Sequence, residues 1–405
     1  MMFAYVTSYI DRVNIGFAQL HMAQELGFSN TVYGLGAGIF FVGYVFFEVP
    51  SNILLARVGA RLWFVRILVS WGLISGLMSL ISSPTQFYVM RFLLGVAEAG
   101  FIPGLVYYIG CFYPADRRGR VISMFYVALA LAGLLGGPLS GWILHSMEGV
   151  LGLSAWKWLF IIEAIPAGLA AILVFKVMPD DPSRASFLTA QQRSRLNTLM
   201  TLDRQTKATV PFWTILRNKY IWIMSLIFFA DVVALYGISF WTPMLVKQMG
   251  AANDLAIGLI SAIPSACAAV TMVFFGRSAD RLRERRWHLV ALFALAIVGL
   301  LLGVLWQNNL ILGVLALSLA TMGLISVPPL FWSLPTAVLS IGAAAAAGIA
   351  FISAFGNLAG FVAPYLIGAV KDATGSTDLA MYLLVGCLVV GALLTLSIPK
   401  HLVNR

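Results

Sequence analysis

The sequence contains few charged residues for its length. Of its 405 residues, 26 are Lys or Arg and 16 are Asp or Glu, so that 10% are charged, against about 25% in soluble domains. Apolar residues make up 60%, and the run from Trp287 to Val370 contains no Asp, Glu, Lys or Arg. A soluble protein of this size needs more polar residues to cover its surface. The composition therefore excludes a soluble enzyme and indicates a protein embedded in a lipid bilayer.

Other residue types and motifs are also scarce. The three cysteines and the four histidines are scattered along the chain, without the spacing of a disulfide framework or a metal site. No Gly-Lys-Ser or Gly-Lys-Thr string is present, so the sequence lacks the phosphate loop of ATP-driven proteins. The apolar stretch after Met1 has no basic region before it, which is not typical of a signal peptide. We therefore expect no metal, no organic cofactor and no catalytic residues.

Charge gaps and turn residues divide the chain into twelve apolar segments. Each has about the 20 residues that a helix needs to cross a bilayer. The predicted spans are 2–20, 32–56, 63–82, 87–110, 120–145, 155–177, 219–247, 256–278, 288–306, 310–338, 343–370 and 377–398. The sequence thus predicts an all-α membrane protein.

The basic residues lie mostly on one side of these spans. With the loops assigned alternately to two sides, 21 Lys and Arg lie on the side of the termini and three on the other. Cytoplasmic loops carry such an excess of basic residues, which predicts a multi-pass protein of the cell (inner) membrane with both termini cytoplasmic. The scatter of basic residues between apolar runs argues against nucleic acid as a partner.

The two halves of the chain resemble each other weakly. The string Gly276-x-x-x-Asp280-Arg281 follows span 8, and Ala56-Arg57-x-Gly59-Ala60-Arg61 follows span 2, with Asp280 lying 224 residues after Ala56. Pro138 and Pro364 are 226 residues apart. Internal repeats with a site between them are typical of secondary transporters. We expect two pseudo-symmetric six-helix bundles, 1–178 and 219–405, and a cytoplasmic linker, 179–218, in which Thr189 and Gln192 form a partial capping box.

Four strings in the spans carry a resemblance to a known family. They are Asp11-Arg12-Val13-Asn14, Gly43-Tyr44 with Glu48-Val49-Pro50-Ser51-Asn52, Arg91-Phe92-Leu93-Leu94-Gly95-Val96-Ala97-Glu98, and Phe355-Gly356-Asn357-Leu358-Ala359-Gly360. With the six-plus-six spans and the string after span 8, the chain resembles the major facilitator superfamily, and within it the anion:cation symporters. That family includes bacterial permeases for sugar acids, tartrate, phthalate and hydroxyphenylacetate, and the animal sialin and vesicular glutamate carriers. One departure is Ala56, which stands where the superfamily motif has an acidic residue.

Seven ionisable side chains fall inside the predicted spans. Each costs about 2.5–3.5 kcal/mol near the bilayer centre by insertion scales, so each must face a cavity or another polar group. They are Asp11, Arg12, Glu48, Arg91, Glu98, Glu163 and Asp231. These residues are therefore the first candidates for a functional site.

Arg12 is the predicted binding residue for a substrate carboxylate, because a guanidinium offers planar, two-pronged hydrogen bonding. Asp11 and Glu98 are the predicted proton-coupling residues, and the resemblance implies these roles for the matching positions. Arg91 and Glu98 lie seven residues apart, roughly 10 Å along a helix, which is too far for a simple pair. For Arg91, both an anion contact and a structural partnership with an acid remain open.

The other candidates fall into two groups. Polar and aromatic residues that would complete a substrate site with Arg12 and Arg91 are Tyr44, Tyr236, Trp332, Ser333 and Asn357. Residues of a possible gate or charge network are Glu48, Asp231, Asp280 and Arg281. Glu48 is also a possible partner of Arg12 or Arg91, and Glu163 is interpreted as structural.

The resemblance implies proton-coupled uptake of a small organic anion, such as a sugar acid or another carboxylate, by alternating access. Its expected partners are the anion, protons and the lipid bilayer, and we expect a monomer. The alternatives are an organic-anion exchanger, an exporter or a non-transporting membrane receptor. A membrane enzyme would require a catalytic or metal constellation that the sequence does not contain.

Overall fold

The structure is a computed structural model that describes residues 1–113, 115–182, 185, 187–205, 217–338 and 343–400. This part of the chain consists of helices and connecting turns and contains no strand. The first half and the linker contain α1 (Met2–Val13), α2 (Ile15–Glu25), α3 (Asn30–Val58), α4 (Ala60–Leu77), α5 (Pro84–Glu98), α6 (Phe101–Phe112), α7 (Ala115–Ser146), α8 (Ala155–Val177) and α9 (Ala190–Gln205).

The second half repeats the succession of long apolar helices. It contains α10 (Lys219–Gln248), α11 (Asp254–Leu282), α12 (Arg286–Leu305), α13 (Leu310–Phe331), α14 (Ser333–Val338), α15 (Ala343–Asn357), α16 (Ala359–Thr374) and α17 (Asp378–Ser397). Several helices begin at a Ser or Asn whose side chain accepts a backbone N–H of the first turn, as at Ser29, Ser83, Asn253 and Asn309. Such caps satisfy donors that would otherwise lack a partner in an apolar environment.

The predicted all-α membrane architecture is confirmed. Among the described residues, eleven helical segments are long and apolar enough to cross a membrane. The predicted span 1 is divided into α1 and α2, which are too short individually. They are separated only by Asn14, whose backbone angles stay helical (φ −58°, ψ −28°), so together they cover the predicted span 1.

Three other predicted single helices are each two helices. Span 4 is α5 and α6, separated by Ala99 and by Gly100, which has a φ of +87°. This left-handed conformation ends a helix and suits glycine. Spans 10 and 11 are interrupted at Trp332 and Leu358, where the backbone angles stay helical, as at Asn14.

The two halves meet at the end of the bundle opposite the chain termini, which we call the far end. There α3 packs against α16, α7 against α11, and α2 against α10. Polar contacts join the same region, because the Asp372 carboxylate accepts the backbone N–H of Thr31 at 2.7 Å. His21 Nε2 lies 3.0 Å from the Asp254 carboxylate. The halves are therefore in contact across the far end.

Glycines permit this close approach. The string Gly34-Leu35-Gly36-Ala37-Gly38 forms a close-packed face of α3. A Cβ on Gly34 would overlap the backbone of Pro364, and one on Gly38 would lie 2.7 Å from the Phe361 carbonyl oxygen. On the other side of the bundle, a Cβ on Gly258 would lie 2.8 Å from the Gly141 Cα. Side chains at these positions would hold the halves apart.

The predicted capping box in the linker is also confirmed. The Thr189 N–H donates to the Gln192 side chain at 2.9 Å, and the Gln192 N–H donates to Thr189 Oγ1 at 3.3 Å. This reciprocal pair begins α9. Closer to α8, the Asp180 carboxylate accepts the backbone N–H of Arg61 at 2.9 Å, which attaches the start of the linker to α4.

We expect Gly258→Leu to open the far end, because a side chain there would overlap the backbone of α7. The distance between spin labels on cysteines placed at the exposed positions Ser146 and Ala252, in a background without the native cysteines, should increase in pulsed EPR. Gly276→Leu is the control, since Gly276 of the same helix faces open space and its replacement should leave the distance unchanged. An unchanged distance in Gly258→Leu would contradict the proposed role of this glycine contact.

Candidate functional site

Three polar side chains of α1 lie in the interior of the bundle. Ser8, Asp11 and Arg12 are all buried. At about 100° per residue, Ser8 and Arg12 lie one above the other, four residues apart, while Asp11 points in a different direction. One turn of α1 can therefore place polar side chains against two different neighbouring helices.

Ser8 and Arg12 both bind Glu98 at the end of α5. Ser8 Oγ donates to Glu98 Oε1 at 2.6 Å, and Arg12 Nη2 donates to the same oxygen. Arg12 Nη1 donates to the Tyr236 hydroxyl at 2.8 Å. Because Tyr236 lies on α10, this group joins the two halves of the chain. We call Ser8, Arg12, Glu98 and Tyr236 the Arg12 cluster.

Aromatic rings surround the guanidinium group of Arg12. Its central carbon lies 5.1 Å from the ring centre of Phe40, 5.7 Å from that of Phe41 and 5.3 Å from that of Tyr44. A cation near an aromatic ring face is attracted by the ring quadrupole. These α3 rings reach the cluster because α5 has Gly95 at the crossing, where a Cβ would overlap the Phe40 backbone. The cluster is thus a charged centre within an apolar wall.

Arg91 lies beside this centre but makes different contacts. Its Nε donates to the Gly36 carbonyl at 3.3 Å and its Nη2 to the Ala37 carbonyl at 3.3 Å. Its guanidinium carbon lies 5.0 Å from the ring centre of Phe40. As the seven-residue spacing indicated, Arg91 does not pair with Glu98. Within the described part of the chain its Nη1 has no acceptor, so one donor remains for another ligand.

Asp11 has its own set of partners in the first half. Trp71 Nε1 of α4 donates to Asp11 Oδ2 at 2.5 Å, and the Ser75 hydroxyl donates to Oδ1. Asn14 Nδ2 lies 3.4 Å from the same Oδ1. No cation pairs with this carboxylate among the described residues. Asp11 therefore lies outside the Arg12 cluster, although it is adjacent to Arg12 in sequence.

Glu48 and Asp231 are buried but form no ion pair with described residues. Glu48 on α3 forms no ion pair with Arg12 or Arg91 in this structure, where Glu98 pairs with Arg12, and its role in a gate or charge network stays a prediction. Both carboxylate oxygens of Asp231 on α10 are buried without a hydrogen-bond donor from the described part of the chain. Each of these carboxyls is thus placed where an ionised form is costly unless a ligand or a proton reaches it.

The remaining predicted residues lie apart from the Arg12 cluster. The Trp332 ring packs 4.9 Å from Phe228, and Ser333 Oγ donates to the Leu330 carbonyl at 2.6 Å. Asn357 is half-buried at the end of α15. Asp280 and Arg281 are exposed near the end of α11, and Asp280 lies 3.4 Å from Arg285. The structure therefore brings together Arg12, Tyr44, Glu98 and Tyr236, with Arg91 and Asp11 as neighbours.

Several residues of the site were not singled out from the sequence. Ser8 has a detectable signal, because it precedes Arg12 by one helical turn. Trp71 and Ser75 are also one turn apart, but nothing in their own helix indicates that Asp11 faces them. The ring of Phe40, which lies against both arginines, is indistinguishable in sequence from a lipid-facing phenylalanine. No described group of three or more His, Cys, Asp or Glu is placed to hold a metal.

Comparison with known proteins relates the whole chain to transporters. The sequence model of the Major Facilitator Superfamily matches residues 1–364 of this chain. A relative from Agrobacterium vitis, named as a tartrate transporter, is 43% identical over 411 residues, which cover 100% of this chain and 91% of the relative. A relative from Acinetobacter baumannii, named as a quinolone resistance transporter, is 40% identical over 395 residues, which cover 96% of this chain and 90% of the relative.

The fold is also that of a solved transporter. The structure of a D-xylose-proton symporter superimposes with a TM-score of 0.76 and covers 98% of this chain and 95% of its own. The two sequences are 19% identical, so this likeness concerns the fold alone. The major facilitator arrangement expected from the sequence is thus confirmed.

We expect Glu98→Leu to destabilise the protein by about 3–5 kcal/mol, because it leaves the Arg12 guanidinium buried without its partner. The double variant Arg12→Met/Glu98→Leu should recover most of this loss, since it removes both charges. Unfolding in detergent measures the difference. Glu48→Leu is the control, because this buried carboxylate has no described ion pair to lose. A double variant as unstable as Glu98→Leu would contradict the importance of the pair.

Proposed function

This chain belongs to the Major Facilitator Superfamily and is a membrane transporter rather than an enzyme, and we propose that it takes up a small organic anion together with protons. The observation that carries this proposal is the buried Arg12–Glu98 pair of the first half. Tyr236 of the second half accepts a hydrogen bond from Arg12 and so links this pair to the other bundle. Alternating access changes the contacts between the halves, so a group that joins them is a suitable place for coupling.

Competition for Arg12 explains why proton and anion would bind together. The Glu98 carboxylate occupies the guanidinium that a substrate carboxylate needs. A proton on Glu98 removes its negative charge and leaves Arg12 Nη2 for the substrate, which can bind the planar group at two points. The anion therefore binds more strongly to the protonated carrier.

Charge balance supports the same order of events. The Arg12–Glu98 pair is neutral as a unit, and adding one proton and one monoanion keeps the site neutral. Binding the anion alone would leave an excess buried negative charge, and binding the proton alone would leave Arg12 without a counterion. Both are costly in a low-dielectric interior. The loaded and the empty sites are thus the states of lowest electrostatic cost, which is the requirement of a symporter.

The neighbouring residues have supporting roles in this proposal. Asp11 is a second proton-coupling carboxyl, because it is buried with neutral donors and no described cation. Tyr44 and the free donor of Arg91 contact the substrate beside Arg12. As the halves rearrange, Trp332, Ser333 and Asn357 supply the wall from the second half, and Glu48, Asp231, Asp280 and Arg281 take part in gating.

The proposed topology follows the distribution of basic residues. The two bundles, 1–178 and 219–405, rock about the site as a monomer in the inner membrane, with the termini and the linker 179–218 in the cytoplasm. In this orientation the far end faces outward, and its glycine contacts and the Asp372 hydrogen bonds close it. The structure then represents the carrier after its outer side has closed.

Export is the second candidate function. It is favoured by the Acinetobacter baumannii relative, which is named as a quinolone resistance transporter. An anion exchanger would use the same Arg12 site without net proton movement. Uptake and export are distinguished by the direction of net transport under an imposed pH gradient, and exchange by its independence from that gradient.

We expect the wild-type protein to be stabilised by at least one acid from a panel of sugar acids, tartrate and aromatic acids. Arg12→Ala should abolish this binding in thermal-shift and calorimetric measurements, because the carboxylate loses its counterion. Arg61→Ala is the control, since this arginine lies at the bundle end and should leave affinity unchanged. Stabilisation by neutral or cationic compounds alone would overturn the anion assignment.

We expect Glu98→Gln in proteoliposomes to lose uptake driven by a pH gradient, because the amide cannot exchange a proton. Counterflow of the same acid should persist, since the neutral amide resembles the protonated carboxyl. Glu148→Gln, at the far end, should keep both activities because its amide oxygen can still accept the Ala155 N–H. Full gradient-driven uptake by Glu98→Gln would exclude Glu98 as the coupling residue.

A further inference from the structure

A fourth buried carboxyl group of the first half lies apart from the Arg12 cluster. Glu163 of α8 is 2% exposed, and Ser140 Oγ of α7 donates to its Oε1 at 2.7 Å. No described Lys, Arg or His pairs with it. The sequence interpretation treated Glu163 as structural, and the transport proposal above does not use it.

Asn14 connects this carboxyl to Asp11. Its Nδ2 lies 3.4 Å from Asp11 Oδ1, and its side chain is also within hydrogen-bonding reach of Glu163. Two buried acceptors remain at this junction without a donor from the described residues: Asn14 Oδ1 and Glu163 Oε2. A buried acceptor without a donor is unfavourable, because it keeps its desolvation cost.

A single proton resolves this arrangement. If Glu163 Oε2 carries a hydrogen, it can donate to Asn14 Oδ1 while Asn14 Nδ2 donates to Asp11. The chain from Ser140 to Asp11 then has a donor for every link, and the buried Glu163 carries no charge. We propose that Glu163 is a proton-binding site of the transport cycle, coupled through Asn14 to Asp11. The inference rests on the proposed proton-coupled transport.

Asp11 is the charged neighbour of Glu163 on the helices that pack against α8. Among the described residues, Asp11 is the charged group that repels an ionised Glu163. The other described Lys, Arg, His and Glu residues of the packed helices lie in separate contacts or at the helix ends. On α1 and α2 these are Arg12, bound to Glu98, His21, bound to Asp254, and Glu25, bound to Lys157; on α4 they are Arg61 and Arg66; and on the described end of α7 there is His145.

The place of Asn14 gives a reason for the proton to be held during transport. Asn14 lies between α1 and α2, and α2 is attached to the second half. A Cβ on Gly16 would lie 2.6 Å from the Phe240 carbonyl oxygen, and His21 contacts Asp254 across the same boundary. When the halves close at the far end, α2 and Asn14 move into place, and Asn14 becomes the acceptor for the H⁺ that Glu163 has taken up from the outer side. After the cytoplasmic side opens, Glu163 releases this H⁺ to the cytoplasm and is left as a carboxylate.

The test counts protons per substrate in proteoliposomes, from the membrane potential at which net tartrate flux reverses under a fixed pH gradient. Glu163→Gln should move one proton fewer per tartrate than the wild type and should keep counterflow, because the amide Nε2 can donate to Asn14 Oδ1. Ser140→Ala is the control, since it removes a hydrogen bond to Glu163 but no titratable group. An unchanged proton count in Glu163→Gln would overturn the inference.

Infrared spectroscopy detects the protonated carboxyl of Glu163 directly. Infrared spectra of the purified protein in lipid should show a protonated-carboxyl band that is lost in Glu163→Gln and kept in Ser140→Ala. Absence of such a difference would also overturn the inference, even if tartrate is not transported. A wild type that shows no pH-driven uptake of any acid would refute the proposed function itself. A coupled wild type with an equally coupled Glu163→Gln would refute only the role of Glu163.

Discussion

The neutralisation of Arg12 inside an apolar bundle is the constraint on which the rest of this structure depends. A buried guanidinium is tolerated only with a counterion and with acceptors for its hydrogen bonds. Glu98 supplies the charge from α5, and Tyr236 supplies a second acceptor from the other half. Three helices from two bundles must therefore converge on one point. In the proposed transport, an anion that binds Arg12 must replace Glu98, and this competition is what would couple the ion pair to proton binding.

Close packing brings these helices together and also limits how they can move. Glycines at the crossings of α3 with α5, α3 with α16, and α7 with α11 place backbones where any side chain would collide. Contacts of this kind are nearly rigid, because packed interiors resist small deformations. The proposed transport cycle would concentrate movement at the interruptions between helices, of which Asn14 lies beside two buried carboxyls. The proposed binding residue Arg12 and this interruption are thus close together in the chain.

The sequence indicated the candidates for the site better than their partners. Arg12 and Glu98 were identified because charges in apolar spans are costly, and the separation of Glu98 from Arg91 followed from helix geometry. Glu48 was an equally good partner for Arg12 by that reasoning, yet it forms no described ion pair. Asp11 illustrates the same limit, because the indole of Trp71 and the hydroxyl of Ser75 come from another helix.

The sequence by itself determined the membrane class, the helical spans and the capping box at Thr189. These features depend on composition, on helical periodicity and on contacts within a few residues of chain. Only the tertiary structure decided which carboxyl neutralises Arg12, that Asp11 lies apart from it, and that Asn14 stands between Asp11 and Glu163. The reason is physical: helix periodicity fixes the direction of a side chain on its own helix, whereas the packing and rotation of the neighbouring helices fix what it meets.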